Sequence, residues 1–459
     1  MLNHVWDIED KKLYIDGDSV SLFELDKIAF NIFQFGIDYV IENWDNNEIR
    51  NKISEIYNIT KNLSSVNSED VFKTKIENRI DLTNISSFSL YISEDCNLNC
   101  KYCWNLGGRF QRNNGRLFSN DLIEYFTDLL KENKNDQISI DFFGGEPLLN
   151  FDLIKNLINR NIKINKNKKI NYILTTNGTL YSKEVSKFLK ESNVDIIFSL
   201  DGPEDYHNKY RKYKNNLGSF SDVIKGIDIY NNIYGHKPTI RPTWTFDKKF
   251  TLKKIYEWFE KNDFKLIEFE PNFRFFNKFI NEKDINEVIN QKKDFLNYIF
   301  NNIKYNLNNK KKRNVYYTWI KFISRILTKK NIFGCSLFKR DDICIGANGD
   351  LFFCLALPYK EYKLGNLKNS EKILNISNYS FIYKNVDQRD KCKFCWAKYI
   401  CGGGCYGTNY QLSGDPLKPS DKYCLFQKKL FEVDLYFILK MKVEMPVFFQ
   451  KLKKLDELI

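Results

Sequence analysis

SFSLYISEDCNLNCKYC, residues 87–103, is the stretch on which the fold turns. Its first seven residues are the short apolar run of a buried parallel strand, and three cysteines follow at once on a single loop. Similar runs recur downstream at 138–144 (ISIDFFG), 170–176 (INYILTT), 194–201 (VDIIFSLD), 239–246 (TIRPTWTF) and 266–271 (LIEFEP). Helical periods separate most of them, as at 120–130, where Leu122, Ile123, Phe126, Leu129 and Leu130 share a face. Others fall at 153–162, 183–189 and 252–259. Strand–helix alternation repeated six times predicts a parallel α/β barrel, closed or partial, with its chemistry at the C-terminal strand ends.

The cysteines deepen this reading. The chain has 459 residues, eleven cysteines and only three histidines. No basic-then-apolar signal opens the chain and no run is long enough to span a membrane, so a cytoplasmic protein is expected. In a reducing compartment, clustered thiols point to metal or redox work. Here they segregate into Cys96, Cys100 and Cys103, then eight between Cys335 and Cys424. Three thiolates on one loop suit a 4Fe–4S cube with one iron left open, whereas zinc would need a fourth ligand or a water. The net charge of +13 raises nucleic acid as a partner, through Lys310–Arg313 or the lysines of 163–169. Interleaved Asn and Asp make a solvated basic surface the better account.

Cys96-x3-Cys100-x2-Cys103, with Tyr102 before the last cysteine, resembles the signature of the radical S-adenosylmethionine (SAM) enzymes. Further strand ends carry similar marks. Asp141-Phe-Phe-Gly144-Gly145-Glu146-Pro147 resembles the family's GGEP motif, which implies that Gly144, Gly145 and Glu146 hold the SAM amino group. Thr175–Thr179, with Asn177, and Ser199–Pro203, with Ser199 and Asp201, resemble its polar strand ends for ribose and carboxylate. Arg211, ten residues beyond Asp201, is expected to pair with that carboxylate through bidentate geometry. Each motif alone reads equally well as a turn or a structural element, and His207 reads as structural. Their order on consecutive strands identifies the chain as a member of the family.

The C-terminal spacing Cys392-x2-Cys395-x5-Cys401-x3-Cys405 resembles the SPASM domain of the same enzymes. Taken by itself, eight thiols would also suit two zinc ribbons. The resemblance implies two fully ligated auxiliary 4Fe–4S clusters: Cys335, Cys344, Cys354 and Cys405 for the first, Cys392, Cys395, Cys401 and Cys424 for the second. With the SAM-binding cluster on Cys96, Cys100 and Cys103, that makes three clusters plus SAM. Gly402-Gly403-Gly404 suits tight backbone around a cluster.

The expected fold class is therefore α/β, a partial (β/α)6 TIM-like barrel between two smaller units. Residues 1–85 read as a winged-helix-like domain, with a hairpin turning at Asp16-Gly17 and helical stripes at Ile49, Ile53, Ile56 and at Phe72, Ile76, Ile80. The barrel spans 86–275, a helical connector 276–330, the SPASM domain 331–430, and an amphipathic tail 431–459 interrupted by Pro446. The resemblance implies a 5′-deoxyadenosyl radical that takes hydrogen from a substrate, with a flavodoxin or ferredoxin as reductant. Sulfatase-maturing members carry Asp after the cysteine matching Cys354, where this chain has Leu355.

The N-terminal unit resembles the element that captures leader peptides by β-augmentation. The expected function is thus a peptide maturase joining a cysteine sulfur to carbon in a ribosomally made precursor, the sactipeptide or ranthipeptide type. Carbon–carbon or carbon–oxygen crosslinking, epimerisation and sulfatase-type oxidation are the alternatives, with a zinc-dependent nucleic-acid-binding protein as the rival from another class. No residue stands out as a catalytic acid or base, although Glu268 and Glu270 would share one face of the sixth strand.

Overall fold

The computed structural model describes residues 3–455 except 36, 62–78, 105–115, 265–266, 268, 273–281, 309–316, 328–331, 333, 335–340 and 370. An antiparallel sheet comes first, β1 (Asn3–Ile8), β2 (Lys11–Asp16) and β3 (Ser21–Leu25), in that spatial order. The Asp16-Gly17 turn lies between β2 and β3, where the Asp16 carboxylate accepts from the Ser19 backbone N–H at 2.7 Å. Helices α1 (Lys27–Phe35), α2 (Ile37–Asn43) and α3 (Asn46–Lys61) follow, and α3 carries Ile49, Ile53 and Ile56. The second expected helical stripe fails at Ile80, which lies in strand β4 (Arg79–Asp81); Phe72 and Ile76 lie outside the described residues. Ile80 pairs with Leu374, a partner almost three hundred residues away that no local periodicity reveals.

The barrel units follow as β5 (Ser87–Ser93), α4 (Asn120–Glu132), β6 (Gln137–Gly144), α5 (Phe151–Ile164), β7 (Lys169–Thr176), α6 (Lys183–Glu191) and β8 (Val194–Phe198). After α7 (Glu204–Tyr210) and α8 (Phe220–Tyr234) comes β9 (Thr239–Ile240). Strands β5 to β9 lie parallel in chain order. Alternation decides which face is which. Phe88, Leu90, Ile140, Phe142, Leu174 and Phe198 are fully buried under the helices, where all five predicted apolar residues of α4 also lie. The intervening residues, among them Ser89, Asp141 and Thr175, face the concave side.

The fifth expected strand is split. Pro242 has no N–H to donate, and the run breaks into β9 and β10 (Thr243–Trp244). After α9 (Leu252–Lys261), β10 pairs in parallel with β11 (Glu270–Pro271), and Ile267 bridges back to Ile240. Glu268 lies outside the described residues, so the expected Glu268–Glu270 face is represented only by the backbone position of Glu270.

The connector is helical, with α10 (Glu282–Asn308) and α11 (Tyr317–Leu327), although Lys310–Arg313 lie outside the described residues. Beyond it, β12 (Asp342–Ile345) adds in parallel to β5, and β13 (Asp350–Phe352) and β14 (Lys363–Asn366) continue antiparallel. The large sheet thus runs β14-β13-β12-β5-β6-β7-β8-β9. Strand β15 (Ile373–Asn375) pairs with β4. Helices α12 (Lys398–Cys401), α13 (Tyr406–Ser413), α14 (Asp421–Glu444) and α15 (Pro446–Leu455) end the chain, with Pro446 opening α15 as expected.

Helix α14 runs straight across residues 430–431, and its stretch from Glu432 to Ile438 is buried throughout. The expected amphipathic tail is therefore a core element here, because α14 is wedged between α10 and the N-terminal sheet. Lys292 pairs with Asp434 at 3.0 Å on one side. On the other, His4 bonds Glu432 at 2.9 Å and Glu9 accepts from Tyr436. Among the described residues no helix is long and apolar enough to cross a membrane.

Candidate functional site

The three-cysteine loop leaves the C-terminal end of β5 and is pinned at several points. The Asp95 carboxylate accepts from the Cys96 backbone N–H at 2.9 Å and pairs with Lys214 at 3.1 Å. Asn99 and Lys101 donate backbone N–H groups to the carbonyls of Lys212 and Tyr210. Two donors already reach the Cys96 sulfur, the Leu98 backbone N–H at 3.4 Å and the Asn177 side chain at 3.7 Å. Burial pushes the Cys100 thiol up to about 12, opposed by the Arg211 guanidinium, and burial raises Cys96 further still.

At the end of β6, Gly144 adopts φ +140° and packs against the loop so closely that a Cβ would stand 2.1 Å from the Ser93 carbonyl oxygen. Only glycine fits there. Glu146 is buried and knits the strand ends together. Its carboxylate accepts from the Thr176 hydroxyl and the Asn177 N–H, each at 2.7 Å, and from the Leu148 N–H at 3.1 Å. Burial nevertheless pushes its pKa up to about 7.

Beyond β8, Asp201 is inaccessible to solvent and anchors a second knot. It pairs with Arg211 at 3.0 Å, accepts from the Tyr102 hydroxyl and receives the Thr243 N–H at 3.0 Å. The Arg211 guanidinium lies over the Tyr102 ring, 5.3 Å from its centre. His207 sits behind this knot, bonded to Ser219 at 3.0 Å and held neutral by burial, its pKa pushed down to about 3.

These elements surround a cavity of about 510 Å3. Its wall brings together Cys96, Cys100 and Cys103 with Tyr102, Gly144, Gly145, Glu146, Asn177, Ser199 and Arg211. Asp201 is the exception among the sequence-predicted residues: it stands behind the wall and orients Tyr102 and Arg211. The opposite wall includes Leu355, Ala356, Cys405 and Gln411 from the C-terminal region. Sequence reasoning missed Asp141, Arg241, Thr243 and Asn272, all on the wall. A signal for Asp141 was present, since it is a carboxylate on the inward-facing alternation of a strand whose outward residues are apolar.

The remaining thiols fall into two places. Cys344 lies on β12, buried beside β5, and Cys354 and Asp141 raise its pKa after burial itself. Cys405 reaches the large cavity, while Cys335 lies outside the described residues. Cys392, Cys395, Cys401 and Cys424 line a separate small cavity of about 30 Å3. Burial pushes Cys401 up to about 12 and Cys424 to about 11, and neighbouring thiols add to both. Gly402, Gly403 and Gly404 all have positive φ, and a Cβ on Gly402 would come within 2.3 Å of Ile332. Among the described residues, no three His, Cys, Asp or Glu side chains gather closely enough to hold a single ion.

Residues 90–243 match the sequence profile of the Radical SAM superfamily. A cysteine-type anaerobic sulfatase-maturating enzyme from Clostridium novyi is 28% identical over 334 residues, 68% of this chain and 85% of that protein. The radical SAM cyclopropyl synthase TigE of Paramaledivibacter caminithermalis is 26% identical over 424 residues, 85% of this chain and 84% of that protein. Among solved structures, native anSMEcpe with bound AdoMet has the same fold, with a TM-score of 0.63 at 23% identity over 77% of this chain and 98% of that one.

Proposed function

We propose that this chain, whose residues 90–243 form a Radical SAM domain, is a SPASM-type radical SAM enzyme and a peptide maturase forming thioether bonds between a cysteine sulfur and a carbon of a ribosomally made precursor. The observation that carries the peptide part is the edge of β3. Among the described residues this strand pairs only with β2, so its other edge is free to accept an added strand. Beside that edge a groove of about 130 Å3 runs between β3 and α3, lined by Phe23, Leu25, Ile56 and Ile59 with Lys52 and Glu55 at hand. A leader segment adding to β3 would find pockets for alternate apolar side chains there.

The donor chemistry supports the cofactor reading. Eight of the thiols line two cavities, Cys96 and Cys401 among them are pushed up by neighbouring thiols as well as by burial, and a cationic iron–sulfur core is what would hold such a set as thiolates. Cys96, Cys100 and Cys103 would hold the SAM-binding cluster. Cys335, Cys344, Cys354 and Cys405 would hold one auxiliary cluster, and Cys392, Cys395, Cys401 and Cys424 the other. When bound, this set supplies a 5′-deoxyadenosyl radical and an acceptor for the electron left after hydrogen abstraction. The chain's own residues would do the positioning. Arg211, fixed by Asp201 and stacked on Tyr102, is aimed to take a carboxylate, and Gly144 and Gly145 let the backbone approach the ligand closely. Glu146 and Asn177 would complete the amino and ribose contacts, with Ser199 beside them. A low-potential donor such as flavodoxin or ferredoxin would supply electrons.

Sulfatase-type oxidation is the second reading, favoured by the identity to the Clostridium novyi enzyme. Against it stands Leu355, an apolar residue on the cavity wall where the sulfatase-maturing members carry an acid. The products separate the two. A thioether loses two hydrogens and leaves the cysteine unreactive to alkylation, whereas sulfatase-type oxidation leaves an aldehyde that hydrazide captures. The test uses a cysteine-bearing precursor peptide that carries a leader segment. Ile56→Glu with Ile59→Glu should lower its affinity and crosslinking by about tenfold, near 1.4 kcal/mol. Unchanged crosslinking by that variant would remove the leader-binding role.

A further inference from the structure

Among the described residues two carboxylates line the large cavity, Glu146 and Asp141. Glu146 is committed, because Thr176, Asn177 and Leu148 take both of its oxygens. Asp141 is not. Its Oδ1 is shielded from solvent and has no hydrogen-bond partner. A buried carboxylate oxygen left without a donor costs free energy, and strand β6 could have carried an apolar residue there, as it does at Phe142 on the other face.

The register of the sheet locates the group. Asp141 is the lateral partner of Ser89 on β5, and Ser89 is the partner of Cys344 on β12. Along β6 it precedes Gly144 by three residues, or about 10 Å at the usual strand rise. It therefore lies below the three-cysteine loop, on the same inner face as Cys344 and on the wall of a cavity that also reaches Leu355 and Cys405. A substrate filling that volume would touch it.

We propose that Asp141 is the catalytic proton acceptor, taking the thiol proton of the peptide cysteine as its sulfur bonds to the acceptor carbon. This rests on the thioether reading above. The acceptor C–H bond breaks homolytically and its hydrogen atom leaves with the 5′-deoxyadenosyl radical. The S–H proton passes to Asp141, the C–S bond forms, and the one remaining electron goes to a 4Fe–4S cluster, which matches the electron spent in cleaving SAM. Asp141 then returns its proton to solvent.

The electrostatics agree with that duty. Burial pushes the Asp141 pKa up to about 6, opposed by Arg241, which keeps the group close to neutrality where proton acceptors work best. By register this face also carries Tyr91 on β5, Lys169 on β7, Asp342 and Cys344 on β12, and Asp195 on β8, which shares the lateral row through Ile173. Arg241 favours the ionised form, and a charged Cys344 opposes it.

The test compares wild type, Asp141→Asn and Asp141→Glu on the cysteine-bearing precursor peptide. The wild-type crosslinking rate should rise with pH through about 6. Asp141→Asn should lose that limb and form at least tenfold more 5′-deoxyadenosine per crosslink, while Asp141→Glu should keep the limb and recover part of the coupling. Infrared titration of the iron-free protein supplies a reading independent of turnover: a carboxyl band titrating near pH 6 in the wild type should vanish in Asp141→Asn. An Asp141→Asn enzyme with wild-type coupling and pH profile, or one losing 5′-deoxyadenosine and crosslink in parallel, overturns the assignment. A wild-type enzyme that oxidises the peptide without forming a C–S crosslink, whether it spares the thiol or converts the cysteine to a hydrazide-reactive aldehyde, overturns the thioether reading, and this role with it.

Discussion

Neutralising Asp201 should destabilise the barrel and disarm its ligand end together. Asp201 is fully buried and Arg211 is 8% exposed, with 3.0 Å between them. At an effective dielectric near 20 that separation corresponds to about 5.5 kcal/mol of attraction, from which desolvation of both ions subtracts. In Asp201→Asn the amide is nearly isosteric and can still accept from the Thr243 N–H, so the chief loss is the countercharge. Stranding a buried guanidinium costs about 3 kcal/mol at the low end of such cases, near 150-fold in the folded-to-unfolded ratio. For a domain of this size that is a Tm drop of roughly 6–12 °C, read by thermal unfolding of the reconstituted enzyme. Because Arg211 is no longer aimed, SAM affinity by calorimetry should fall about tenfold. The double variant Asp201→Asn/Arg211→Met removes both charges and should recover at least half of the Tm loss. A single-variant Tm within about 2 °C of wild type would refute the reasoning, since the pair would then prop nothing.

Two further outcomes are expected. His207 has a folded pKa of about 3, below the ordinary 6.5, so the unfolded chain binds the proton first. Stability should therefore fall as pH drops from 6.5 towards 3, by up to about 1.4 kcal/mol per pH unit. His207→Gln should flatten that slope in urea midpoints taken at several pH values, and an unchanged slope would mean that His207 is not held neutral by the fold. Iron analysis after anaerobic reconstitution should give about twelve irons per chain with matching sulfide, falling to about eight when Cys96, Cys100 and Cys103 are all alanine. Two zincs and no iron would discard the cluster reading.

Much of the architecture is legible locally, for a physical reason. Strand and helix periods, proline breaks and cysteine spacing are written within a few residues of where they act. The stripe of Leu122, Ile123, Phe126, Leu129 and Leu130 reads as a helix face and is one. Pro446 stops α14 because a proline cannot continue a helix interior, and it opens α15 because a first turn needs no N–H there. Local reading fails where a partner is distant, as with Ile80, whose apolar spacing is helical but whose backbone is claimed by β15. It fails likewise over α14, whose charged Glu432 and Asp434 are buried only because His4 and Lys292 come to meet them.

The candidate site divides in the same way. The residue types and their order along the strands are sequence properties, so Cys96, Cys100, Cys103, Gly144 and Glu146 could be named from the chain alone. Which carboxylate is committed and which is free could not. Asp201 and Glu146 accept hydrogen bonds from neighbours that arrive from other strand ends, while Asp141 lines the cavity and its buried Oδ1 has no hydrogen-bond partner. Nor does any local signal foretell that β12 joins the sheet beside β5 and brings Cys344 to the barrel's open edge. Pairing between strands so far apart in the chain is decided by burial and hydrogen bonding summed over the whole molecule, and that sum exists only once the tertiary structure has formed.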